Sequence, residues 1–191
     1  MPNKTIKIAS WNVEGRLSNL SSKGRGNATQ IIKNIEAINA DIMVILEAHT
    51  EENVDKLTTK QKLIDLGYQI HSVDYDDDLV SRTDCYTNRL SMMFLSKYPI
   101  DEFKVIKLGK LRNCMVVAIK IGDDQNIKVI GIHLDDRLEE TRLRQIADLS
   151  EEINKSELPT IVMGDFNAMH GEDLWPARFL KTNFSNLLSK I

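Results

Sequence analysis

Cysteine is scarce in this chain. Only Cys85 and Cys114 occur, and neither has a Cys or His at metal-finger spacing. The opening Met1-Pro-Asn-Lys-Thr-Ile-Lys-Ile-Ala-Ser10 lacks the apolar core of a secretory signal. One disulfide stays open on sequence alone, but without such a signal the two cysteines read as reduced, inert thiols of a cytoplasmic protein. No apolar run approaches the roughly 18 residues that a membrane-spanning helix needs. Nor is there an excess of positive charge. Lys and Arg number 25 against 28 Asp and Glu, a formal net charge of −3, which excludes a strongly basic nucleic-acid coat. Fixed-period repeats and low-complexity tracts are missing as well. What remains is 42% hydrophobic and 28% charged over 191 residues, the composition of one soluble globular domain, residues 1–191.

Short apolar runs alternate with helix-like stretches. Residues 5–11, with Ile6 and Ile8 on one face, read as a half-buried strand. Ile31, Ile32, Ile35 and Ile38 form a helical stripe over 29–38. Asp41 to Leu46 is a near-continuous apolar run, as expected of a strand covered on both faces. A helix over 53–66 would stop at Gly67. Strands are expected at 68–73, 90–96, 103–108, 114–121 and 127–132, with Asp123 and Asp124 turning the last two into a hairpin. A helix at 137–154 would turn Leu138, Ile146, Leu149 and Ile153 inward. Thr160 to Met163 reads as a buried strand, and 177–190 as a final helix carrying Trp175 and Phe179 nearby on the core. Mixed pairing with interspersed helices indicates an α/β or α+β sandwich.

Four strands finish in chemistry. The first ends in Trp11-Asn12, the second in Leu46-Glu47, the strand at 129–132 in His133, and the strand at 160–163 in Gly164-Asp165-Phe166-Asn167. Sheets bring strand ends together, so these groups can share one crevice. Glu47 and Asp165 are hard anionic donors and the amides of Asn12 and Asn167 add neutral oxygen, a set suited to Mg²⁺ or Mn²⁺. In an extended segment Asp165 and Asn167 would point the same way. Gly164 would permit close backbone approach. His133 can hydrogen-bond or protonate a phosphate oxygen. With no nucleophilic Ser or Cys at suitable spacing, the set suggests water attacking a phosphate ester.

Each residue also has a plainer reading. Asn12 can be a turn or capping residue, Glu47 a surface residue or helix cap, His133 a hydrogen-bonded structural histidine, and Gly-Asp-Phe-Asn a turn closed by an Asx hydrogen bond. Agreement among four separate strand ends favours the site. Other features are read as ordinary surface: the acidic Asp74–Asp78 stretch as a solvated loop, Arg16 to Gly26 as a loop with a phosphate-grasping alternative, and His49 and His170 as loop histidines.

Ser10-Trp-Asn-Val13, Leu46-Glu47, Gly131-Ile-His-Leu-Asp135 and Gly164-Asp-Phe-Asn-Ala168 resemble, in order and rough spacing, the endonuclease/exonuclease/phosphatase superfamily. Arg89 to Ile100 is similar to its central strand, and Arg142 and Gln145 match its Arg-x-x-Gln spacing. The resemblance covers residues 6 to about 168. It implies a four-layer αββα sandwich of two sheets, and a Mg²⁺-dependent (or Mn²⁺-dependent) hydrolase of phosphate esters, a phosphodiesterase or nuclease. By the same resemblance Asn12 and Glu47 would hold the metal, Asp165 would orient or activate water, Asn167 would hold a phosphate oxygen, and His133 would contact the phosphate. Substrates implied are phosphate esters, with nucleic acid among them. Arg142, expected on the inner stripe of its helix, reads as a structural ion pair.

Three departures stand out. Leu46 replaces the family's usual Gln, the Tyr-x-Pro-Asn segment of bacterial-type abasic endonucleases is missing, and no Asp-His pair exists. The four histidines follow Ala48, Ile70, Ile132 and Met169. The expectation is therefore a family domain lacking the C-terminal strands, with an incomplete second sheet and an open edge beside 159–164. The alternative function is a non-catalytic fragment or binding module that keeps the fold.

Overall fold

The structure, a computed structural model, describes residues 5–14, 17, 28–49, 54–74, 90–109, 112–122 and 125–168. In chain order the elements are β1 (Ile8–Asn12), α1 (Ala28–Ile38), β2 (Ile42–His49), α2 (Val54–Asp65), β3 (Gln69–Asp74) and β4 (Leu90–Ser96). There follow β5 (Ile100–Leu108), β6 (Arg112–Gly122), β7 (Gln125–His133), α3 (Glu139–Asn154) and β8 (Thr160–Asp165). Two four-stranded sheets form, ordered β1-β2-β4-β3 and β5-β6-β7-β8. Each has one parallel pair at an edge, β1 with β2 and β7 with β8, and antiparallel pairs elsewhere. Among the described residues, no strand pairs with the outer side of β8.

Strand alternation sorts the apolar side chains into three cores. Ile42, Val44, Leu46, Met92 and Phe94 from the first sheet meet Met115, Val117, Val129 and Met163 from the second, which is the space between the sheets. The opposite face of the first sheet carries Met43, Ile45 and Leu95 against Ile31 and Ile35 of α1 and Leu63 of α2. The far face of the second carries Cys114, Val116, Ile130 and Ile132 against Leu149 of α3. The layers are therefore helix, sheet, sheet, helix. Every residue from Ile42 to Leu46 is buried because β2 has a core on each face. Gly67, at φ +89°, closes α2 by donating its N–H to the Ile64 carbonyl at 2.8 Å, the left-handed stop that favours glycine.

The structure corrects two expectations. Ile6, just before β1, packs against the inter-sheet core, but Ile8 at the start of β1 is 39% exposed, so they do not share a buried face. Leu138, at the N-cap of α3, and Ile146 within it face solvent at 63% and 40%, while Gln145, Leu149 and Glu152 are the helix's buried residues. Polar groups take two core-facing positions there because each has a fixed partner. Glu152 pairs with Lys104 (2.6 Å) and Lys155 (3.2 Å), and Gln145 binds backbone. Cys114 is a free, buried thiol whose pKa burial pushes up to about 11, chemically quiet near neutrality. The hairpin residues Asp123 and Asp124 lie outside the described residues, although Gly122 pairs with Gln125 across them. So do Cys85, Tyr75–Asp78, most of Arg16–Gly26, the side chain of His49, His170, Trp175, Phe179 and the expected helix at 177–190.

Candidate active site

The alternation that builds the inter-sheet core also aims the functional side chains. On β7, Ile127 and Val129 face the other sheet, so His133 at the same parity does too. On β8, Ile161 and Met163 face it, and Asp165 follows. On β1, Ala9 and Trp11 pack on the helix side, which leaves Asn12 toward the second sheet. Glu47 breaks the rule. By strict alternation it would follow Met43 and Ile45 into the apolar layer under α1. A bulge between Ile45 and Ala48 absorbs one residue, so that Ala48 takes that place, and Glu47 stands at φ +53°. The bulge is what turns a carboxylate to the mouth of the crevice.

These side chains meet. Asn12 Nδ2 donates to Glu47 Oε1 at 2.9 Å and reaches Asp165 Oδ2 at 3.5 Å. His133 Nε2 is 3.9 Å from Glu47 Oε1. Leu46, 1% exposed, lies in the apolar floor where the family's usual Gln would stand. Two of the plainer readings, the turns at Asn12 and at Gly-Asp-Phe-Asn, hold alongside this convergence. Asn12 Oδ1 accepts the Glu14 N–H at 3.0 Å, and Asp165 Oδ1 accepts the Asn167 N–H at 2.9 Å, two Asx turns that lock the side chains they use. The second turn corrects the expectation of an extended Asp165–Asn167 segment. Asn167 sits at φ +47°, and its Nδ2 donates to the Leu134 carbonyl at 2.8 Å. Gly164 behaves as expected. At φ +142°, a Cβ there would lie 1.9 Å from the Ile132 carbonyl oxygen.

Charge around His133 is opposed. Burial lowers its pKa first and Arg112 adds to this, while Glu47 and Asp165 pull the other way, leaving a net decrease from 6.5. The ring is therefore neutral at pH 7. Arg112, which sequence reasoning did not single out, donates from Nη2 to Asp136 Oδ1 at 3.1 Å. Asn113 was missed as well. It is buried, two residues before Met115, which pairs with Gly131, so it shares the inter-sheet face with His133. The signal was present in both cases, as polar residues opening an otherwise apolar strand. Arg142 makes a structural contact as expected, but to a carbonyl: Nη1 donates to Asp135 O at 3.1 Å.

Whether the crevice fits a cation depends on its donors. Two carboxylates converge on the one Asn12 amide group, and their combined negative charge is what a positive ion would neutralise. All the donors are oxygen or imidazole, and the one described thiol faces the α3 side of the sheet. Among the described residues, no group of three or more His, Cys, Asp or Glu side chains has metal-holding spacing. A small hard cation that takes one or two carboxylates and completes its shell with water and phosphate oxygen matches this set, and Glu47 with Asn12 would hold it.

The architecture is thus that of a two-sheet sandwich in which carboxylate, amide and imidazole groups gather at the mouth of the inter-sheet core. The chain belongs to the Endonuclease/Exonuclease/phosphatase family, matched over residues 9–184. Its fold is similar to that of ANGEL2, a 2′,3′-cyclic phosphatase solved with adenosine-2′,3′-vanadate (17% identity, TM-score 0.68, 89% of this chain and 56% of that one). It is also similar to a mannosyl-6-phosphatase of Bacteroides thetaiotaomicron (17% identity, TM-score 0.61, 89% and 69%) and to the human Nocturnin catalytic domain with bound sulfate (20% identity, TM-score 0.64, 90% and 67%). The chain thus spans between 56% and 69% of these structures. Among curated protein sequences, none matches it. No helix among the described residues is long and apolar enough to cross a membrane.

Proposed function

We propose that the chain is a Mg²⁺-dependent (or Mn²⁺-dependent) hydrolase of phosphate esters, with phosphodiesters, nucleic acid among them, as favoured substrates. The observation that carries this reading is the convergence of Asn12, Glu47, His133 and Asp165 within hydrogen-bonding or ion-pair reach at four strand ends. Family membership supports it. The similar structures named for phosphatases share a phosphate ester and differ in what is attached, so the phosphate is the part carried over.

A bound cation held by Glu47 and Asn12 would offset the charge that gathers on the phosphate oxygens. The chain's own residues supply the rest. Asp165 has Oδ1 fixed by the Asn167 N–H, so Oδ2, which Asn12 Nδ2 reaches only at 3.5 Å, is the oxygen better placed to accept a proton from the attacking water. His133, neutral and held in the sheet, offers Nε2 to a phosphate oxygen without adding a competing charge beside the cation. Asn167 has one Nδ2 proton committed to Leu134, which leaves the other for a second phosphate oxygen. Apolar walls from Leu46 and Met163 beneath the mouth keep bulk water from the floor.

The test is hydrolysis of a bis-aryl phosphodiester with and without Mg²⁺, comparing wild type with Glu47→Gln and Asp165→Asn. Each substitution is expected to lower the rate by at least about a hundredfold. Turnover that survives chelation, or that neither substitution changes, would overturn the proposal. Phosphate binding without turnover would favour a binding module instead.

A further inference from the structure

Gln145 is completely buried in the middle of α3, where an apolar side chain would satisfy the surrounding core. A buried amide is costly unless its groups are paired. Here both ends bind backbone rather than another side chain. Oε1 accepts the Asp135 N–H at 2.9 Å, and Nε2 donates to the Leu108 carbonyl at 3.4 Å. Arg142, one turn earlier, donates to the Asp135 carbonyl. Two α3 side chains therefore hold both backbone groups of the residue two places after His133.

The preceding residue is held from the other side. Leu134 donates its N–H to the Asp165 carbonyl at 2.9 Å, and its own carbonyl accepts from Asn167 Nδ2 at 2.8 Å. A continuous hydrogen-bonded path runs from α3 through Asp135 and Leu134 to Asp165 and Asn167. We propose that Gln145, assisted by Arg142, is a positioning residue: its grip on Asp135 sets where the strand end after His133 lies, and through Leu134 it sets the orientation of Asn167. Its consequence for turnover rests on the hydrolase reading above, whereas its consequence for Asn167 does not.

Gln145→Met keeps an unbranched side chain of similar volume and removes only the polar link. Arg142→Met removes the neighbouring bond at a half-buried position and serves where the first variant folds poorly. Leu149→Ala loosens the packing of the same helix face without touching the path. In Gln145→Met the Asp135 amide should exchange faster and the Asn167 side-chain amide resonances should shift, with Arg142→Met giving a smaller change of the same sign. With Mg²⁺ and the bis-aryl phosphodiester, kcat should fall about tenfold to a hundredfold while KM stays within about twofold. Leu149→Ala should lower Tm with kcat and the Asn167 resonances unchanged. Unmoved Asn167 resonances in both polar variants, or an equal kcat loss in Leu149→Ala, would overturn the proposal. A wild type without turnover would count against the hydrolase reading alone, and the resonances would still decide the role of Gln145.

Discussion

The two sheets contribute unequally to the crevice. The first supplies Asn12 and Glu47, which touch mainly each other and the Glu14 amide, and Glu47 remains 26% exposed in a left-handed bulge. The second supplies His133, only 4% exposed, and the Asp165–Asn167 turn, tied by backbone bonds to Leu134 and from there to α3. One half carries charge on a thin anchorage, while the other is a frame whose polar groups are cross-tied. Substitutions in the frame should therefore cost stability. Substitutions in the charged half should cost function and leave the fold nearly intact.

The largest expected effect is in the frame. Gly164→Ala places a Cβ 1.9 Å from the Ile132 carbonyl oxygen in a backbone region that an L side chain rarely adopts. Relief requires β8 to move away from β7, which breaks the parallel pairing at Ile132 and His133. A loss on the order of 3 kcal/mol or more in urea denaturation is expected. A change below about 1 kcal/mol would show that this strand end is not the rigid part.

Next comes acid. For Glu152, burial raises the carboxyl pKa, but the hydrogen bonds from Lys104 and Lys155 outweigh it, and the pKa falls below the ordinary 4.5. For Asp135, burial is likewise outweighed by the Leu138 and Arg137 N–H groups, and the pKa falls below 3.8. A folded-state pKa below the unfolded one contributes stability above the unfolded value and loses it as pH falls through the folded value. The α3 side should thus weaken below about pH 4.5, in the range set by these carboxyls. Urea midpoints between about pH 6 and pH 3 should fall more steeply for wild type than for Glu152→Gln. Parallel slopes would remove Glu152 from the account.

Sequence reading reached the unequal halves to different depths. The four strand ends were legible because alternation and apolar runs mark where a strand stops, and Gly164 was legible because only glycine tolerates such an approach. The direction of Glu47 was not, since a bulge leaves no mark in an apolar run and reverses the parity on which any prediction rests. The face of α3 was misread for a related reason. Apolar periodicity assigned Leu138 and Ile146 to the core, whereas Gln145 and Glu152 were buried by partners 10 and 48 residues away in sequence, Asp135 and Lys104. Asn167 was misdirected by assuming an extended segment where an Asx hydrogen bond makes a turn. In each case the missing information was a polar contact distant in sequence or a local backbone irregularity.

The smallest expected effect lies in the charged half and sharpens the comparison most. Glu47→Gln removes one of two carboxylates gathered on the Asn12 amide group, and it loses a charge-assisted bond from Asn12. The gain and the loss oppose each other at a partly exposed site, so stability without metal should change by less than about 1 kcal/mol. Mg²⁺ then separates the variants. A ligand that binds only the folded state stabilises it by mass action, about 2.7 kcal/mol at a hundred times its Kd. Added Mg²⁺ should raise the urea midpoint of wild type and leave Glu47→Gln unmoved, with a chelator that removes Mg²⁺ reversing the shift. If Glu47→Gln instead unfolds as readily as Gly164→Ala, then Glu47 is part of the frame and the division between the halves fails. If Mg²⁺ stabilises both proteins equally, the cation binds elsewhere, and the crevice loses the charge on which its proposed chemistry depends.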